Sequence, residues 1–151
     1  MIVWVSVIAV VGTLLGSTTA FLLQQRALRT DRAETRKYEK WRDQLAAVTA
    51  LTVALADYRR AMWAREDLRL SDAPGGHEEA RAETHTARSA LTAPLTTLAV
   101  LAPALAPTAT RAAQAAYALR NAPDHQTLTT LRTAAMNAAD DLVHEAAVLL
   151  S

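Results

Sequence analysis

From Ile2 to Leu23 the chain runs for 22 residues without a charged side chain. At about 1.5 Å per residue an α-helix of that length reaches ~33 Å, enough to cross a hydrocarbon layer of ~30 Å. Twelve of these residues are Leu, Ile, Val or Phe, each favouring insertion by about 0.3 to 0.6 kcal/mol. The five Ser and Thr hydroxyls in the run can bond to the helix's own carbonyls, so insertion wins. A cleaved secretory signal is the competing reading. It is disfavoured because no Lys or Arg precedes the run and because Phe21, Leu22 and Leu23 continue it past the only small-residue site, Thr18 and Ala20.

The flanks orient the span. No basic residue precedes it, whereas Arg26, Arg29, Arg32, Arg36, Lys37, Lys40 and Arg42 follow. The positive-inside rule places the N-terminus outside an inner membrane and the body in the cytoplasm. Trp4 sits where an interfacial aromatic would, and the basic cluster is placed to touch anionic lipid headgroups, at about 1 kcal/mol per cation. Gly12 and Gly16, extended by Ala20, form a small-residue face that supports a homodimer through the membrane helix.

The remaining residues form a helical protein. The chain has one Phe, four Gly and no Cys, a composition short of the aromatic and β-branched supply of a sheet and without any thiolate chemistry. No Gly or Pro occurs from Gln24 to Leu70, so one long helix is expected there. Tyr38, Trp41, Leu45, Val48, Leu51, Leu55, Tyr58 and Met62 recur along it at three- and four-residue steps as one apolar stripe expected to form bundle core. Ser71-Asp-Ala-Pro-Gly-Gly76 breaks the helix, and a second helix restarts near His77 with Glu78, Glu79 and Glu83 in its early turns. Pro94 is expected to kink or split it, and Pro103 and Pro107 to end it. A short Ala-rich helix over Thr108 to Arg120 follows. After Asn121-Ala-Pro123 comes a last helix, Asp124 to Leu150, whose inward face carries Leu128, Leu131, Ala135, Ala138, Leu142, Ala146 and Leu149. The expected fold is all-α: a single transmembrane helix, residues 1–25, then a long amphipathic helix and a small antiparallel helical bundle, residues 26–151.

The net charge of +1 is the difference of two opposed segments. Residues 26–69 hold eleven basic and seven acidic side chains, and residues 70–151 hold five and eight. The stretch Arg36-Lys-Tyr-Glu-Lys-Trp-Arg42 interleaves cations and rings as a single-strand nucleic-acid groove does. Tyr38 and Trp41 begin the apolar stripe, however, which turns the rings toward the bundle and disfavours nucleic acid.

Asp140, Asp141 and His144 share a helix face, but the second half of a di-iron ligand set is missing, and a surface carboxylate–imidazole pair is the simpler reading. There is no phosphate-binding Gly loop, no Ser-His-Asp set and no His-Glu-x-x-His run. No catalytic residue, metal site or cofactor is expected.

The order of the pieces carries a resemblance. Val10-Val-Gly-Thr-Leu-Leu-Gly16, Phe21-Leu-Leu-Gln-Gln-Arg26 and, after a charged helix, Ala56-Asp-Tyr-Arg-Arg60 resemble the KilB-like small single-anchor proteins of streptomycetes and their relatives. Fourteen Arg against two Lys suits such a high-GC origin. The similarity is strongest over roughly the first 65 residues. It implies a membrane-associated role in plasmid transfer or spread between mycelial cells, with partners that are proteins, and it supplies no catalytic residues. The alternatives are a membrane-tethered nucleic-acid-handling protein and a stalk-like assembly scaffold. The Pro-Gly-Gly break and the later prolines argue against the stalk.

Overall fold

The computed structural model describes the side chains of residues 34–151. The anchor with Gly12, Gly16 and Ala20, the interfacial Trp4, and Arg26, Arg29 and Arg32 lie outside the described residues. The chain divides into two units, 1–40 and 41–151. In the first, the described side chains from Glu34 to Lys40 are all exposed. Among the described residues no helix is long and apolar enough to cross a membrane.

Among the described residues there are five α-helices and one 3-10 turn: α1 (Ile2–Leu70), α2 (His77–Ala90), α3 (Thr92–Leu101), the 3-10 turn Pro103–Leu105, α4 (Ala106–Tyr117) and α5 (His125–Leu150). The fold is all-helical, as the composition requires. The break at Ser71–Gly76 falls where Pro and Gly place it. Gly76 adopts φ +82°, a left-handed conformation that glycine takes freely and that residues with side chains adopt only rarely.

The prolines act one step away from where the sequence puts them. The α2–α3 split occurs at Leu91, not at Pro94, because the Pro94 ring excludes the carbonyl four residues back, on Ala90. Ala90 is therefore the last residue of α2. α3 ends at Leu101, ahead of Pro103 as expected, and Pro103 then starts the 3-10 turn, whereas Pro107 lies in the first turn of α4 rather than ending a helix. At a first or second helical position the missing N–H is one that would have no partner anyway. Asn121, at φ 60°, turns the chain after α4, and Asp124 caps α5 by accepting a hydrogen bond from the Thr127 N–H at 2.7 Å.

Two contacts set the register of the second unit. His125 Nδ1 lies 3.4 Å from Asp67 Oδ1, and the Trp41 indole N–H donates to the Leu150 carbonyl at 3.1 Å. α5 therefore runs antiparallel to α1 and covers it from Asp67 back to Trp41. Between these ends Val48, Leu51, Leu55, Tyr58 and Met62 are buried, with Leu128, Ala135, Leu142 and Ala146 of α5 in the same core. Leu131 is only partly buried. α4 contributes Ala109, Ala112, Ala113 and Ala116. Its methyl-only face lets the backbones of α4 and α5 approach closely.

The near end of the stripe departs from expectation. Tyr38 is 64% exposed, Trp41 40% and Leu45 42%, so these three are not bundle core, and Leu149 is exposed as well. α5 meets Trp41 only at its last turn, and opposite Leu45 it presents the small residues Ala146 and Ala147, which leave the longer side chains of α1 uncovered.

Polar ties complete the unit. Glu66 is fully buried, accepts from Arg69 Nε at 2.7 Å, and the same guanidinium donates to the Ala122 carbonyl. Arg111 and Glu145 pair at 3.3 Å around Thr108, which donates to Glu145 and joins α4 to α5. The surface pair expected of His144 with Asp140 or Asp141 is absent among the described residues. The histidine–carboxylate pair is His125 with Asp67.

Candidate interaction groove

The exposed end of the apolar stripe is one wall of a groove. Trp41, Leu45, Val48, Thr52 and Val53 on α1 face Val143, Ala146, Ala147 and Leu150 on α5 across a space of about 460 Å³. Each wall follows its helix: steps of three, four and seven residues put these positions on one side. The groove exists because α5 presents small residues, Ala146 and Ala147, where it faces the longer side chains of α1. No charged side chain lines it. Trp41 closes the end by its hydrogen bond to Leu150, so its ring stands as a fixed apolar wall. Exposed apolar side chains gathered into one concavity, rather than scattered singly, are the mark of a contact surface.

Of the α1 wall the sequence pattern marked Trp41, Leu45 and Val48, all as core; Val48 is core, whereas Trp41 and Leu45 are exposed, and Thr52, Val53 and the groove itself were missed. The signal was the pair of alanines near the end of α5, Ala146 and Ala147, opposite the longer side chains of α1. The basic residues Arg36, Lys37, Lys40 and Arg42 are all exposed, and Arg42 pairs with its neighbour Asp43 at 3.3 Å. The ring orientation used against nucleic acid also fails at Tyr38, whose side chain faces solvent. Among the described residues no group of three His, Asp or Glu is placed to hold a metal ion.

The family described as "KilB plasmid transfer protein" matches residues 45–150. The chain belongs to the KilB family. Protein KilB of Streptomyces lividans is 59% identical to it over 143 residues, which is 94% of this chain and 95% of that protein. No solved structure matches. The KilB match corrects one expectation from sequence: the similarity does not fade beyond the first 65 residues but runs to residue 150, over nearly all of the second unit. The KilB family match also contains almost the whole groove, from Leu45 to Leu150.

Proposed function

We propose that this chain serves plasmid transfer or spread as a membrane-anchored, non-enzymatic protein whose cytoplasmic helical unit works by protein–protein contact through the Trp41–Leu150 groove. Membership of a plasmid transfer family supports the process, and the uncharged run Ile2–Leu23 with its one-sided basic flank supports the anchor and its orientation. The observation that carries the contact reading is the uncharged groove itself, which leaves Leu45, Val53 and Val143 exposed at its walls.

The occupant assigned here is the same surface of a second copy. A Gly12, Gly16 and Ala20 face would pair two anchors in parallel, and two grooves lined by no charged side chain would then meet over their apolar walls.

A photocrosslinking residue at Val143 of the full chain, in membranes of transfer-competent mycelium, tests this. A dimer adduct that disappears with Leu45→Asp supports it. An adduct only to a different protein replaces the second copy with that partner, and no adduct to any protein overturns the contact reading. Release of the chain by carbonate washing would remove the anchor.

A second reading is favoured by the exposure of Tyr38 and of the cations around it: single-stranded nucleic acid held along residues 36–42. A gel shift with the full chain in detergent separates the two, since salt-sensitive binding lost in Tyr38→Ala would support nucleic acid.

A further inference from the structure

Away from the groove, three of the five arginines of the acidic distal half converge. Arg81 and Arg88 of α2, Arg120 of the turn after α4 and Arg65 of α1 line one cavity of about 90 Å³, well above the ~10–15 Å³ that a water needs. The placement is helical on both sides. Tyr58, Met62 and Arg65 are steps of four and three on α1, and Arg81, Thr84, His85 and Arg88 are steps of three, one and three on α2.

No carboxylate lines the cavity. Among the described residues the ion-paired arginines are Arg42, Arg60, Arg69 and Arg111, so none of the four here is neutralised by an Asp or Glu. At the bottom lies Tyr58, fully buried, its hydroxyl without a hydrogen-bond partner of normal geometry. A buried polar group left in that state calls for a specific explanation.

The surroundings hold Tyr58 and Arg88 in place, while Arg81 and Arg120 reach the cavity from the exposed side. The Tyr58 ring meets Tyr117 edge-on at 5.3 Å, and the Arg88 guanidinium lies 4.6 Å over the same Tyr117 ring. Burial pushes the Tyr58 phenol above its ordinary pKa, against the opposing pull of Arg88, so at neutral pH it keeps its proton and remains a donor. The Thr84 hydroxyl is already committed to the Ala80 carbonyl at 2.7 Å. The donors left are thus the phenol and the guanidiniums, and beside them only the phenol oxygen and the His85 ring could accept, neither of them an anion.

We propose that this cavity is a binding site for a phosphate-sized oxyanion, the Tyr58 hydroxyl and the guanidiniums of Arg88, Arg120, Arg81 and Arg65 supplying the donors. Forked guanidiniums match the oxygens of a phosphoryl group, and the anion would relieve the mutual repulsion of four cations. The shared chemistry is that of free phosphate and of a small phosphomonoester.

Calorimetric titration of the detergent-solubilised full chain tests it, with inorganic phosphate in one arm, adenosine monophosphate in a second and chloride at matched ionic strength as the control. Saturable one-to-one binding of phosphate is expected. Binding of the nucleotide alone would support the site and assign it to a phosphomonoester. Arg81→Ala with Arg120→Ala should abolish binding, and Tyr58→Phe should weaken it about tenfold, one charge-assisted hydrogen bond being lost, with helical circular dichroism unchanged in both. Heats no larger than those of chloride in both arms, or unchanged binding by Tyr58→Phe and by the double variant, would overturn the proposal.

Discussion

The indole N–H of Trp41 donates to the carbonyl oxygen of Leu150 at 3.1 Å, joining residues 109 positions apart at the point where α5 ends. One of the four carbonyls that a helix leaves unpaired at its C-terminus is thereby satisfied by a side chain of α1. Trp41→Phe keeps an aromatic, though smaller, ring and removes the donor. It should cost about 0.5 to 1.5 kcal/mol and speed amide hydrogen exchange over the last turn of α5, with exchange at Leu128 unchanged. Unaltered exchange in that turn would show that the bond does not hold the helix end.

Leucines on the same helix should separate by burial. Leu51 is fully buried, and Leu45 is 42% exposed at the groove. Leu51→Ala should destabilise the chain by about 2 to 5 kcal/mol through the cavity it leaves. Leu45→Ala should cost under about 1 kcal/mol. Denaturant unfolding of both variants checks this, and equal losses would place Leu45 in the core after all.

Glu66 and Arg69 form the one ion pair among the described residues with a fully buried partner. Removing the cation with Arg69→Ala leaves a buried carboxylate uncompensated and should cost about 3 to 5 kcal/mol. Arg69→Ala combined with Glu66→Met should recover most of that loss, which a double-mutant cycle measures. The loss includes the tie from Arg69 to the Ala122 carbonyl, so recovery is expected to be incomplete.

The cap on α5 should make stability depend on acid. Hydrogen bonds from the Thr127 backbone hold the Asp124 carboxyl below its ordinary pKa of 3.8. A depressed carboxyl contributes fully above the unfolded value, and the contribution is lost as the pH falls through the folded one. Asp124→Asn keeps a capping side chain and should flatten this acid dependence, while Asp124→Ala should lower stability at neutral pH. Thermal melts from neutral pH down to the carboxylate range decide it; parallel profiles for parent and Asp124→Asn would contradict the cap's titration.

Local chemistry made most helix ends readable. The Pro-Gly-Gly break and the stop before Pro123 act on the backbone within a turn of where they stand, and the last helix, expected from Asp124, begins at His125 with Asp124 as its cap. Pro94 and Pro107 were misread because a proline constrains the carbonyl four residues behind it and suits the first turn ahead of it. The stripe on α1 showed which face is apolar, but burial also needs a partner whose side chains fill the space opposite, and Ala146 and Ala147 of α5 do not. The arginine cavity was illegible for a different reason. Arg65, Arg81 and Arg120 are spread over 56 positions, and charge sums over segments average such groups away instead of showing that three elements bring them to one point.

The position of Leu150 and Ser151 in the groove wall bears on how the protein can be handled. A reporter or affinity tag joined at Ser151 would emerge beside Trp41 and crowd the surface through which contact is proposed, so a fusion that reports topology faithfully could silence function in the same cell. Gly75 has open space around it, with no atom within 4 Å of where a side chain would begin. An epitope inserted after Ala73 or Pro74, leaving Gly76 to make its left-handed turn, would label the chain while leaving that end of the bundle unobstructed.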